Sequence, residues 1–436
     1  MGAWARQHSC QAKAPMRGKF SPSGAFLLPV PSSSLAVLIV RTASSKPRLS
    51  TLILLSALAI LPINFFLPSL PGMATEFDVA YGIMGLSLAA YAGVSACLQL
   101  VLGPLSDRFG RRPVILWALA IFIVATIGCA MAPDAWIFLA CRMVQAIVAP
   151  TYAVSLAAIR DTTSREQAAG QFGYLAMAWA IAPMLGPTVG GLLDQALGWR
   201  ASFWALALFG AAVLALCWID LRETNSAPSN TMAEQYRAYP ELLGSGRFWA
   251  YCVCMAFSVG AFYAFLAGAP LAASAFDLSP AVLGLCIGSI TSGFMAGSFL
   301  AGRLAGRLPV TTILVAGRIV ACAGLLFGLI LYAASISHVL ALFGPCLFVG
   351  VSNGLTQPNA NVGAISVRST HTGSAAGLAG AITVAGASIM AAVAGAVLTE
   401  ENARSGLLLV MLASAVVALG AALLARHLEN AAPRTT

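Results

Sequence analysis

An arginine stands inside an apolar run at position 142, in ACRMVQAIVAP (140–150). It lies about six residues from the end of its segment, about 9 Å along a helix. A guanidinium in hydrocarbon costs at least about 2.5 kcal/mol, so Arg142 should face a protein interior and find a partner there. Its chemistry would be charge pairing in a dry site. The competing reading is a structural arginine bonded to helix carbonyls.

A second concentration of charge is GPLSDRFGRR (103–112), which packs Asp107, Arg108, Arg111 and Arg112 into a chain with 9% charged residues. Gly103 and Pro104 are expected to end a helix, and Gly110 to allow the tight turn of a short loop. Arg108 and Arg112 can anchor to lipid phosphates or pair with carboxylates. Asp107 can pair with those arginines or accept hydrogen bonds from a helix N-terminus.

Softer candidates line other apolar runs. Tyr91 and Gln99 are eight residues apart and fall roughly on one helix face. Trp179 precedes a glycine-rich stretch. Phe262, Tyr263 and Phe265 can stack on a ring-bearing substrate, or serve only as packing. Asn353, Gln357 and Asn361 follow an i, i+4, i+8 spacing, and Pro358 frees a backbone carbonyl that such amides can satisfy. Lining and helix hinge are both open for that stretch.

Little else in the sequence suits catalysis. His8, His338, His371 and His427 fall in a tail, loops or segment ends. The ten cysteines are scattered, and Cys252 and Cys254, two apart, point to different sides of a helix. They form no disulfide framework and no zinc signature. No G-x-x-x-x-G-K-[ST] loop occurs for a nucleotide. The sequence predicts no enzyme, no cofactor and no metal.

The elements that hold these residues follow from composition. The 436 residues are 59% hydrophobic, with a mean hydropathy of +0.86. A soluble domain carries roughly 25% charged residues, far more than this chain. Apolar stretches of about 20 residues recur, the length that crosses a bilayer as a helix. The predicted fold is an all-α membrane protein of twelve transmembrane helices in two six-helix bundles. The first six lie near 50–70, 82–102, 114–131, 136–158, 170–193 and 201–219. The second six lie near 248–273, 281–301, 309–332, 337–360, 373–398 and 405–426.

The domains read as bundles 49–220 and 248–427, a polar linker 221–247 and a short tail 428–436. Residues 1–48 hold every lysine and no acid. A disordered basic tail or an upstream extension is expected there, with a thirteenth span as the alternative. The net charge of +9 sits in short loops, which argues against nucleic acid. Arginines crowd one side of the predicted spans and only Arg200 and Arg404 fall on the other, which places both termini in the cytoplasm.

GPLSDRFGRR resembles the G-x-L-x-D-R-x-G-R-[KR] signature of the major facilitator superfamily, found between its second and third helices. The resemblance covers roughly 49–427, and GSFLAGRLAGR (297–307) echoes the signature without its aspartate. It implies a cytoplasmic conformational latch at Gly103, Asp107, Arg108, Gly110, Arg111 and Arg112, with the aspartate engaging the other half when the transporter faces outward. AIAPMLGPTVGG (180–191) resembles that family's antiporter motif, through Gly186, Pro187, Gly190 and Gly191. RMVQAIVAP resembles R-x-x-Q-G, through Arg142 and Gln145. With FFLPSLP (65–71) and GWRASF (198–203), the chain is similar to drug:proton antiporters of the chloramphenicol and bicyclomycin resistance type.

That likeness implies a multi-pass protein of the bacterial inner membrane, acting as a monomer, with membrane lipid around it. It implies export of a small-molecule substrate by alternating access, with protons as the coupling ion. Such antiporters usually carry an acid in span one, where this chain has Asn64. All fifteen acids lie at loops or span ends. A metabolite or sugar exporter without proton coupling is therefore the alternative.

Overall fold

A computed structural model describes residues 47–163, 165–225, 239–367 and 372–431. Twelve helical segments are long and apolar enough to cross a membrane. The first six are Leu49–Glu76, Tyr81–Phe109, Arg111–Ala130, Ala135–Thr162, Gly170–Leu197 and Arg200–Asp220. The second six are Gly246–Phe276, Pro280–Leu304, Val310–Ala333, Val339–Ser366, Ala375–Val397 and Ala403–Ala431. We number them span one to span twelve. Odd-numbered spans run away from the end of the bundle that carries residue 49 and residue 431, here called the termini end, and even-numbered spans return to it.

Two spans are interrupted. Span one is a helix Leu49–Asn64, a tight turn Leu67–Ser69 and a helix Leu70–Glu76. Pro68 has no N–H for the Asn64 carbonyl, and the α-helix ends at Asn64. Span four is a helix Ala135–Gln145, a turn Ala146–Val148 and a helix Thr151–Thr162. Pro150 does there to the Ala146 carbonyl what Pro68 does to Asn64.

The two halves meet along spans five and eight and along spans two and eleven. At the end far from the termini the backbones touch. A Cβ on Gly191 would overlap the Pro280 carbonyl, one on Gly284 the Pro187 carbonyl, and one on Gly288 the Met184 carbonyl. Gly82 lies against the Gly395 carbonyl in the same way, and Ser388 Oγ donates to the Ala89 carbonyl at 2.7 Å. Toward the termini end, Gly103, Gly170, Gly173, Gly302 and Gly377 have no atom within 4 Å of a would-be Cβ.

Several expected boundaries move. Gly103 and Pro104 do not end span two, whose helix runs on to Phe109. Proline removes a single helical hydrogen bond, and Ser106 Oγ braces the Gly103 carbonyl at 2.8 Å. Gly110 makes the turn alone, with φ +99°. Residues 239–243 of the linker form a short helix, and span seven starts at Gly246, where Ser245 Oγ accepts from Phe248 N at 3.4 Å. Span twelve reaches Ala431, so 428–431 is helix rather than tail. There Glu429 accepts from the Tyr251 hydroxyl and pairs with Arg247 at 3.5 Å. Residues 1–46, with the predicted basic tail, lie outside the described residues.

Candidate functional site

The interrupted spans converge on Arg142, which is 0% exposed. It sits in the last turn of the Ala135–Gln145 helix, where the negative end of the helix dipole favours a cation. Its Nη1 donates to Gln145 Oε1, and its Nη2 to the Ser87 carbonyl of span two at 3.4 Å. Gln145 Nε2 then donates to Thr126 Oγ1 of span three at 2.7 Å. The guanidinium lies 4.3 Å from the Phe66 ring centroid and 4.5 Å from that of Tyr91. Each desolvated cation–π contact is worth up to about 2 kcal/mol, so two rings match the cost of inserting the charge without any carboxylate. One guanidinium nitrogen remains: Arg142 Nε has no hydrogen-bond partner, and neither does the Tyr91 hydroxyl.

Asn64 ends the first helix of span one and is 1% exposed. Its Nδ2 donates to the Ile60 carbonyl at 3.0 Å, leaving Oδ1 buried without a partner. No hydrogen bond joins it to Arg142, which lies over the ring of Phe66, two residues further along span one.

A second buried arginine was not singled out from the sequence. Arg318, on span nine, is 0% exposed. Its Nε donates to Thr356 Oγ1 at 3.0 Å and its Nη2 to Asn353 Oδ1 at 3.1 Å, while Nη1 has no partner. The signal was legible: eight residues inside the Val310–Ala333 run, it is the same kind of intramembrane arginine as Arg142. Asn353 is thus an arginine ligand. Gln357 instead reaches the Met255 carbonyl of span seven at 3.3 Å, and Asn361 is exposed.

The remaining lining candidates separate. Tyr91 stacks on Arg142, but Gln99 stands at the other interface, beside Gly380 of span eleven. Trp179 stacks on Tyr152 with ring centroids 4.4 Å apart. Phe265 is buried against Phe343, and half-buried Phe262 packs on Tyr263.

The GPLSDRFGRR loop is bound within its own half. Arg111 pairs with Asp107 and, at 3.2 Å, with Asp161 of span four. Its Nη1 also donates to Ser106 Oγ. Glu223, just beyond span six, caps span three by accepting from Arg111 N at 2.9 Å and Arg112 N at 3.3 Å. A Cβ on Gly110 would strike that carboxylate. Arg112 Nη2 donates to the Trp218 carbonyl at 3.1 Å, and Arg108 lies over the Phe109 ring. Asp107 faces Arg111 here, with the halves closed at the far end; the engagement with the other half that the family resemblance implies belongs to the outward-facing state. Glu223 was missed because nothing in RETN marks a capping residue for a helix more than 100 residues earlier.

The antiporter-motif glycines mark close approaches. A Cβ on Gly186 would come within 3.3 Å of Asn64 Cβ, and one on Gly190 would overlap the Phe65 carbonyl at the break of span one. Gly191 and the Pro187 carbonyl face span eight. Span five thus touches both the Arg142 region and the other half.

Twelve apolar helices in two halves, interrupted beside a buried charge, describe a multi-pass transporter rather than an enzyme. The sequence pattern of the Major Facilitator Superfamily matches residues 52–389, and the chain belongs to that superfamily. A chloramphenicol resistance protein of Pseudomonas aeruginosa is 35% identical over 51% of this chain, and this chain spans only 54% of its length. The multidrug resistance protein MdtL of Escherichia coli is 29% identical over 73% of this chain and 81% of its own. Among solved structures, a peptide transporter superposes with a TM-score of 0.72 at 14% identity, covering 88% of this chain and 95% of that one. A D-xylose–proton symporter gives 0.70 at 15%, covering 86% and 96%. These likenesses show the shared fold.

Proposed function

We propose that this transporter exports small amphipathic compounds across the bacterial inner membrane by alternating access. The observation that carries the reading is the Arg142 site, where a buried cation lies between two aromatic faces at the meeting of two interrupted spans. Such a surface suits a ring-bearing compound with a polar group. Similarity to proteins named for chloramphenicol and multidrug resistance supports it. Arg111, Arg160, Arg222, Arg247, Arg303 and Arg307 at the termini end favour that end as cytoplasmic. By that orientation the halves are closed toward the outside, and loading takes place from the cytoplasm.

Protons are the proposed counter-ion, carried by an acid at a span end such as Asp161 or Asp194. A proton-independent exporter is the second reading. It is favoured by Asn64 and by the lack of any carboxylate among the described buried residues.

The test is expression in a drug-sensitive bacterium with its own efflux pumps deleted. Tolerance to at least one compound of a panel of amphipathic antibiotics, acidic and neutral, should rise several-fold, and Arg142→Gln at equal membrane abundance should abolish the gain. An unchanged susceptibility panel would defeat the efflux reading.

A further inference from the structure

Among the described residues, the buried part of the protein carries positive charge and no aspartate or glutamate. Arg142 and Arg318 are both 0% exposed, and no aspartate or glutamate is among the described buried residues. The ion pairs among the described residues lie at helix ends: Arg48–Asp220, Arg111 with Asp107 and Asp161, Arg200–Glu76 and Arg247–Glu429. The groups that hold the two buried guanidiniums are neutral, namely Gln145 and the Ser87 carbonyl for one, Asn353 and Thr356 for the other. Each guanidinium keeps one buried nitrogen without a partner, Nε of Arg142 and Nη1 of Arg318.

A cation entering this interior meets two like charges in a low dielectric, where repulsion is strong and unscreened. An anion meets donors that nothing else satisfies, and a guanidinium fork matches carboxylate, sulfonate and phosphate oxygens. We infer that the transported compounds are amphipathic organic anions, whose acid group is received by Arg318 in one half and Arg142 in the other. Arg318 lies eight residues from the termini end of its span, about 12 Å. Arg142 lies seven residues from the far end of its span, about 10 Å. The two charges thus stand at different depths, one in each half. The inference rests on the exporter reading and adds the charge of the cargo.

It has a consequence for energy coupling. A compound that carries one negative charge outward moves down an inside-negative membrane potential. At about 2.3 kcal/mol per charge per 100 mV, that gradient supports roughly fifty-fold accumulation with no proton carrier at Asn64.

The experiment uses full-length protein in liposomes, with a potassium diffusion potential set by valinomycin and equal pH on both sides. Two fixed-charge probes of similar size are compared, naphthalene-2-sulfonate and 2-naphthyltrimethylammonium. The sulfonate should accumulate when the interior is positive. The ammonium, at the opposite potential, should not exceed protein-free vesicles. Arg142→Gln and Arg318→Gln should each cut sulfonate uptake at least ten-fold, and Arg318→Lys should recover part of it. Ammonium uptake equal to or above that of the sulfonate overturns the inference and leaves the exporter standing. So does movement of neither probe while wild-type cells still gain tolerance to a compound of the panel. Movement of neither probe with no gain in tolerance removes the exporter reading and the inference together. Sulfonate uptake that both glutamine variants retain overturns the role of the arginines.

Discussion

Gly191 of span five sits directly against the carbonyl of Pro280 of span eight, and the contact is reciprocated by Gly284 against the carbonyl of Pro187. Each helix contributes a proline and, four residues later, a glycine. Pro187 lies inside span five and Pro280 opens span eight, and in both helices the glycine lets the partner's backbone approach. Gly191→Ala must push the helices apart at the end that is closed here. We expect Gly191→Ala and Gly284→Ala to shift the population toward opening at that end and to slow transport several-fold. Labelling of Thr188→Cys, whose neighbourhood lies in this seam, should speed up in Gly191→Ala; an unchanged rate would show that the contact does not hold the seam.

The loop latch makes a separate prediction. Asp107 carries one of the two carboxylates on Arg111, and its side chain supports no apolar core. Asp107→Asn leaves Arg111 with Asp161 and the Glu223-capped helix intact. Transport should fall about ten-fold or more, with membrane abundance near normal. Wild-type rates at equal abundance would remove the latch role from this aspartate.

Asn353 tests the energetic account of Arg318. Replacing it with leucine removes the acceptor for Nη2 and leaves a second buried N–H without a partner. An unsatisfied charged donor costs on the order of 2–3 kcal/mol. The Tm of the detergent-purified protein should drop by several degrees in Asn353→Leu, with Asn353→Gln intermediate. An unaltered Tm would mean that Arg318 has another acceptor in solution.

The fold was legible where its signal is long-range and repetitive. Apolar runs of bilayer length gave twelve spans, because hydrocarbon forces every backbone group into a helix. Charge asymmetry and the glycine pattern of 180–191 likewise mark features that the structure contains. The failures are local or distant in sequence. Pro104 reads as a helix end, but one lost hydrogen bond does not outweigh the helix on either side of it. Asn353 reads as lining or hinge, because its partner Arg318 lies 35 residues away on another span. Tyr91 and Gln99 share a face by periodicity, yet span two contacts its own half at one and span eleven at the other.

Asn64 offers the sharpest test, since a one-atom change there supplies the missing charge. Its Oδ1 is buried without a partner, Arg142 Nε is likewise unpartnered, and Arg142 lies over the ring of Phe66, two residues beyond Asn64. A lone carboxylate at this depth is costly, but one paired with a guanidinium is far less so. Asn64→Asp should therefore fold, with Phe66 shifting to let the two groups pair. The pair would neutralise Arg142 from within the protein, so the site would no longer need an anion. In the liposome assay above, Asn64→Asp should lose naphthalene-2-sulfonate uptake at least ten-fold, while Asn64→Ala keeps it. The double variant Asn64→Asp with Arg142→Gln should be the least stable of the set, because its carboxylate is buried alone. An Asn64→Asp protein that folds and transports the sulfonate at the native rate would show that Arg142 does not receive the acid group.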